Sequence, residues 1–231
     1  MANTVTITDP TTDTDPGQVA RVTTTLLIFG IVAGPLFMLV SLSQALARDG
    51  FDLTRHAGSL LSNGDLGWIQ VTNFVVTGLM LIAGAAGIRR ALHGGRGGTW
   101  GPRLLAVYGA GLFGAGVFTA DPTFGFPPGT PDGPGAVSWH GLLHLITGSL
   151  GFLAFIMACF VIARRLSVQG AQNWAVCTWI TGVVFLAGFL GIASGSASAN
   201  PLVIVGLLLA GGVGWLWISS LCTRLYRQTT A

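Results

Sequence analysis

The chain has no lysine and no glutamate: its eleven cations are all arginine and its eight acids all aspartate. Charged residues fill only 8% of the 231 positions, against about 25% in soluble domains. That shortage excludes a water-soluble fold of this size, because too little polar surface remains to cover it. With 51% hydrophobic residues and a mean hydropathy of +0.70, the solvent for most of the chain must be lipid. Cysteine is also scarce. Cys159, Cys177 and Cys222 are odd in number, far apart and inside apolar runs. They supply neither a disulfide framework nor a metal motif, and read as small core residues. The arginines are dispersed among short loops, so the net charge of +3 carries no nucleic-acid signature.

What is present is a series of long apolar runs. Residues 1–22 form a polar tail, rich in Thr and Asp, without the apolar content to fold. The first run covers Thr23–Ala47. Ala45-Leu46-Ala47 has the look of a signal cleavage site, yet the run exceeds the roughly 7–15 residues of a signal core, so it reads as a retained anchor. Five further runs follow: Gly67–Leu92, Pro102–Ala120, Trp139–Ala163, Asn173–Ser194 and Pro201–Cys222. Each can supply a span of about 20 residues. Asn200 before Pro201 is a helix-start signal. The expected fold is all-α: six transmembrane helices in one bundle over residues 23–222, with a short tail at 223–231.

Arginine placement predicts the orientation. Arg21, Arg89, Arg90, Arg96, Arg103, Arg164, Arg165, Arg224 and Arg227 fall on one side; Arg48 and Arg55 fall on the other. Both termini are therefore expected in the cytoplasm, with loops 48–66, 121–138 and 195–200 outside, in a multi-pass protein of the cell (plasma) membrane. Trp68 and Trp139 mark outer segment ends, Trp100 and Trp174 inner ends, and Trp215 and Trp217 read as interfacial anchors. Gly30-x-x-x-Gly34 and Gly191-x-x-x-Gly195 place small residues one turn apart, which suits close helix packing within the monomer.

Polar side chains inside lipid are costly, so their positions carry information. Gln70, Asn73 and Thr77 share one helix face, as do His140, His144 and Thr147. With Gln44 and Thr119, they predict an outward-facing polar pocket fed by four segments. Two loops lie above it. Phe51 to Ser59 holds Asp52, Arg55, His56 and Ser59; Asp121 to Asp132 is stiff with proline and carries no cation. Long loops between tight spans are often lids or binding elements.

The chain resembles the bacterial integral-membrane domain-of-unknown-function family 998. The resemblance rests on Phe51-Asp52 through Ser59; on Gly67-Trp68-Ile69-Gln70 with Asn73-Phe74; on Thr119-Ala120-Asp121-Pro122 with Pro127-Pro128-Gly129-Thr130-Pro131; and on His140-Gly141 with His144. It covers about residues 25–220. It implies a multi-helix membrane protein and supplies no established activity.

Three functional readings stay open. In a metal-assisted hydrolase acting on a lipid or small molecule, His140 and His144 share an ion, zinc by the type of ligand, with Asp121 or His56 as the third ligand. Asp52 then acts as general base or orienting acid, assisted by Ser59. In a non-enzymatic binder of a lipid or small solute, Arg55 meets an anionic group while Gln70 and Asn73 line the pocket. Coupled proton transport is disfavoured, since no ionisable residue falls near the bilayer centre. In a scaffold subunit, the same side chains only cap helices and loops. Membrane lipid is the expected partner throughout.

Overall fold

A computed structural model of the protein describes residues 15–194 and 200–231. Most of the expected polar tail, residues 1–14, lies outside the described residues, as do Gly195 and most of the 195–200 loop. The described chain is all-α, with six long helices: α1 Pro16–Ala47, α2 Gly67–Leu92, α3 Gly95–Val117, α4 Trp139–Val168, α5 Gln172–Ala193 and α6 Pro201–Thr230. A short 3₁₀ turn, Gly58–Ser62, interrupts the first loop.

The starts of these helices follow from local chemistry. Asp15 caps α1, accepting from the Gly17 amide at 3.0 Å, with Pro16 in the first turn. Ser138 caps α4 through the Gly141 amide, and Asn200 caps α6 through the Leu202 amide at 2.9 Å. Two ends differ from expectation. Helix α1 already begins at Pro16, inside the stretch read as a polar tail, and α6 runs on through the supposed C-terminal tail to Thr230. Polar residues do not stop a helix that is already nucleated.

Each helix packs on its neighbour in sequence, and α6 closes the ring on α1. Glycine sets the spacing. A Cβ on Gly84 of α2 would lie 2.8 Å from the Gly30 Cα of α1, and one on Gly111 of α3 would lie 2.8 Å from the Gly151 Cα of α4. Backbones this close exclude any side chain. Gly34 faces Trp215 and Ser219 of α6. The Gly30/Gly34 pair therefore packs within the monomer.

An aromatic cluster fills the middle of the ring. Tyr108 and Phe155 lie 5.0 Å apart, Phe155 and Phe185 4.6 Å, and Phe37 and Trp215 5.2 Å. Trp215 and Trp217 are both buried, not interfacial as expected; the Trp217 indole donates to Thr178 Oγ1 at 2.9 Å. Trp68, Trp100 and Trp139 are exposed near helix ends. Outward faces carry Leu39, Leu79, Leu145, Met157, Ile180 and Leu209, all exposed and apolar. Such a surface needs lipid around it.

Five helices are long and apolar enough to cross a membrane: α1, α2, α4, α5 and α6. Helix α3 is not among them. Eight of its 23 residues are glycine, and Arg96 and Arg103 lie in its first half.

Candidate functional site

The polar residues singled out in the sequence do gather at one end of the bundle, where α1 stops and α4 starts. They meet one another and the backbone, however, and do not line a polar pocket. Gln70, with no exposed surface, accepts from Gln44 Nε2 at 2.8 Å and donates to Ser41 Oγ at 3.1 Å. Asn73 donates to Phe37 O at 3.2 Å and to Ser41 Oγ at 3.1 Å. Thr77 bonds back to Asn73 O. This stripe joins α1 to α2 through its amide N–H groups, while Gln44 Oε1 and Asn73 Oδ1 stay buried without a donor. Ser41, absent from the sequence-based set, is its hub.

Both site histidines are tied to the end of α3. His144 Nδ1–H donates to Phe118 O at 2.8 Å and Ala115 O at 3.1 Å; His140 Nδ1–H donates to Thr119 O at 3.1 Å. The last carbonyls of a helix have no partner of their own, and these imidazoles supply one. Carbonyl partners can only accept, so each Nδ1 carries a proton.

Asp121 acts on the start of α4. Its Oδ2 accepts from the Ser138 amide at 2.8 Å and its Oδ1 from Ser138 Oγ at 2.6 Å. Ser138 Oγ in turn accepts from the Gly141 amide at 3.1 Å. Burial alone would raise the Asp121 carboxyl, but the Ser138 bonds and the nearby histidines outweigh it and hold it below the usual carboxylate range. A negative charge here also complements the positive end of α4. The glycine of His140-Gly141 is required, since a Cβ there would lie 1.9 Å from Asp121 Oδ2. Asp121 Oδ1 comes to 3.8 Å from His140 Nδ1, the nitrogen already given to Thr119.

The first loop is a folded unit over this end. His56 is buried and pins the two loops together: the Asp52 amide donates to Nδ1 at 2.9 Å, and Nε2–H donates to Phe124 O at 2.9 Å. Phe51 packs edge-on against buried Phe126 at 5.0 Å, and Arg48 lies 4.8 Å over that ring. Arg48 also donates to Leu61 O at 2.6 Å. The Asp52 carboxylate takes two bonds from Thr54, at 2.7 and 2.8 Å, which hold it below its ordinary range. It does not reach His56 through its side chain. Arg55 pairs with Asp132 of the second loop at 3.0 Å, in an exposed bridge. Asp52, His56 and Ser59 thus form no relay, because backbone groups occupy both imidazole nitrogens.

Among the described residues no group of three or more His, Cys, Asp and Glu is placed to hold a metal ion. A catalytic zinc takes three protein ligands, and the pair His140 and His144 falls short of that set.

Beneath the loops, between α1, α3, α4, α5 and α6, lies a cavity of about 270 Å³. Its walls are apolar, including Phe37, Leu112, Phe152, Phe189, Leu207 and Trp215. Polar side chains touch it at a few points: Ser41, His56, Ser59, Tyr108, His144 and Ser149. Gln70, Asn73, Asp121 and His140 are not on its wall.

One family model, described as a protein of unknown function (DUF998), matches residues 31–224. The chain belongs to this family. No curated protein and no solved structure matches it. DUF998 membership and the apolar helices make it an integral membrane protein with multiple spans. Contacts link the stretches that carried the resemblance: His56 reaches Phe124 in the loop between Pro122 and Pro127, His140 reaches Thr119, and Phe74 packs edge-on against His144 at 6.4 Å. In this DUF998 protein they build the cap and seams around the cavity. Sequence reading missed Ser41 and Ser138 because lone serines in or before apolar segments carry no spacing signal.

Proposed function

We propose that the protein is a non-enzymatic binder that takes the hydrocarbon chain of a membrane lipid, or a similar apolar molecule, into this cavity. The observation that carries the reading is the contrast in partners. The polar groups are spent on helix seams and caps, while the cavity wall is left apolar. A space of about 270 Å³ falls just below the roughly 300–1,000 Å³ of ligand cavities, which suits part of one chain and not a whole lipid. Ser59 and His144 are among the polar side chains such a ligand would meet.

In this reading α3 is a sixth span. Its 23 residues reach about 35 Å at about 1.5 Å each, and its outward residues Val107, Phe113 and Val117 are apolar. Both termini lie in the cytoplasm by the arginine bias, and the loop-bearing end faces outward.

Gly148 and Gly211 provide the test. Both line the cavity, and a Cβ at either would touch nothing. Gly148→Leu and Gly211→Leu should therefore extend a side chain into the space. Lipid extracted from the purified wild type should contain a retained, stoichiometric apolar species by mass spectrometry, and each variant should lose it while unfolding at an unchanged midpoint. Equal retention in all three proteins would sink the proposal.

A further inference from the structure

At the opposite end of the bundle, a cleft of about 430 Å³ lies among the last turns of α2, α4 and α6. Leu92, Ile162, Leu166 and Leu225 form its apolar wall, and Arg165 and Arg224 its charged one. Arg165 holds the end of α2, with Nη1 donating to Gly94 O at 2.6 Å and Nη2 donating to Leu92 O. Its Nε–H is buried with no acceptor, and each Nη keeps a second N–H. Arg224 lies 4.9 Å over the Trp174 ring, and its Nη1 is likewise buried with no acceptor.

Nothing in the described chain neutralises this pair. The ion pairs among described residues are Arg55 with Asp132 and His140 with Asp121, both at the other end. Asp49, Asp52, Asp65, Asp121 and Asp132 also lie at that other end, so Asp15 is the one described acid at this one. Buried charged donors without partners are costly. Arg165 and Arg224 both border the one cleft, and two guanidiniums with N–H groups to spare suit an oxyanion with several acceptor atoms, for which arginine is the usual donor. The wall decides the source. Leucine and isoleucine beside the arginines fit a headgroup with a chain attached.

We infer that this cleft binds the phosphate group of an anionic membrane lipid, seated between Arg165 and Arg224 with its chain along α4 and α6. Basic pockets between helices at headgroup depth take such lipids. The site is separate from the cavity at the loop end and does not rest on the function proposed for it.

The test uses the full chain in detergent, probed with phosphatidylglycerol, phosphatidylcholine and inorganic phosphate. Binding is read by native mass spectrometry and by the unfolding midpoint, which a ligand specific for the folded state raises. Arg165 also supports α2, so Arg224→Gln is the primary variant and exposed Arg227→Gln, off the cleft, is the control. Phosphatidylglycerol should bind saturably and more tightly than phosphatidylcholine. Arg224→Gln should weaken it by about tenfold or more, the scale of one charge-assisted hydrogen bond, and Arg227→Gln should leave it unchanged. Equal phosphatidylglycerol affinity in wild type and Arg224→Gln would overturn the assignment. Stabilisation by inorganic phosphate with no gain from phosphatidylglycerol would overturn the lipid source and leave a free-phosphate site.

Discussion

Gly141→Ala should unfold the start of α4 by displacing a carboxylate 20 residues away in sequence. The new Cβ would lie 1.9 Å from Asp121 Oδ2 and 2.5 Å from its Cγ, where ordinary contact begins near 3.4 Å. The carboxylate must retreat by the difference, 1.5 Å, which carries Oδ2 out of reach of the Ser138 amide now 2.8 Å away. The Ser138 Oγ bond at 2.6 Å is strained by the same movement. Hydrogen bonds to a charged group contribute about 1.5–3 kcal/mol each. The Asp121 side chain is 14% exposed, so water recovers part of that, and we expect a loss of about 3 kcal/mol from the pair. Replacing glycine by alanine inside a helix gains up to about 1 kcal/mol, which leaves a net loss of about 2. Asp121→Ala should cost about 2–3 kcal/mol by removing the same bonds. In the double variant the added methyl has nothing to strike, so it should be no less stable than Asp121→Ala alone. Reversible unfolding in mixed micelles, followed by circular dichroism, measures all four corners of the cycle. Additive losses in the double variant, or a neutral Gly141→Ala, would refute the contact between the two residues.

The pH response follows from the same carboxylate. The Asp121 carboxyl is held below its unfolded value, so its contribution is complete above the unfolded pKa of about 3.9 and declines as pH falls through the lower folded value. Wild type should therefore lose stability below about pH 4 by more than Asp121→Ala does, and parallel acid titrations of the two proteins would disprove this. Gln70→Leu should remove the bonds that Gln44, Ser41 and Asn73 make with the Gln70 amide and loosen α1 from α2. Interhelical hydrogen bonds in membranes average about 0.6 kcal/mol, so the three or four lost contacts sum to about 2. A Gln70→Leu protein as stable as wild type, but unable to retain its ligand, would mean that the amide faces the ligand after all.

The sequence by itself determined the class of the molecule and much of its punctuation. A chain with this little charge cannot fold in water, and the starts at Gly67, Trp139 and Pro201 were legible because tryptophan, proline and capping residues act locally. The family likeness was legible for the same reason, being carried by short motifs. Only the tertiary structure decided which way each helix face points. In a soluble helix the polar side marks solvent, but here lipid and core are both apolar, and the pattern that would tell them apart is missing. Trp215 and Trp217 therefore looked interfacial and proved to be core. Gln70, Asn73 and His144 lie toward the same end of the bundle, yet position does not specify partner. Each was claimed by a serine hydroxyl or a carbonyl that the sequence gives no reason to single out, and the space left between the helices is apolar.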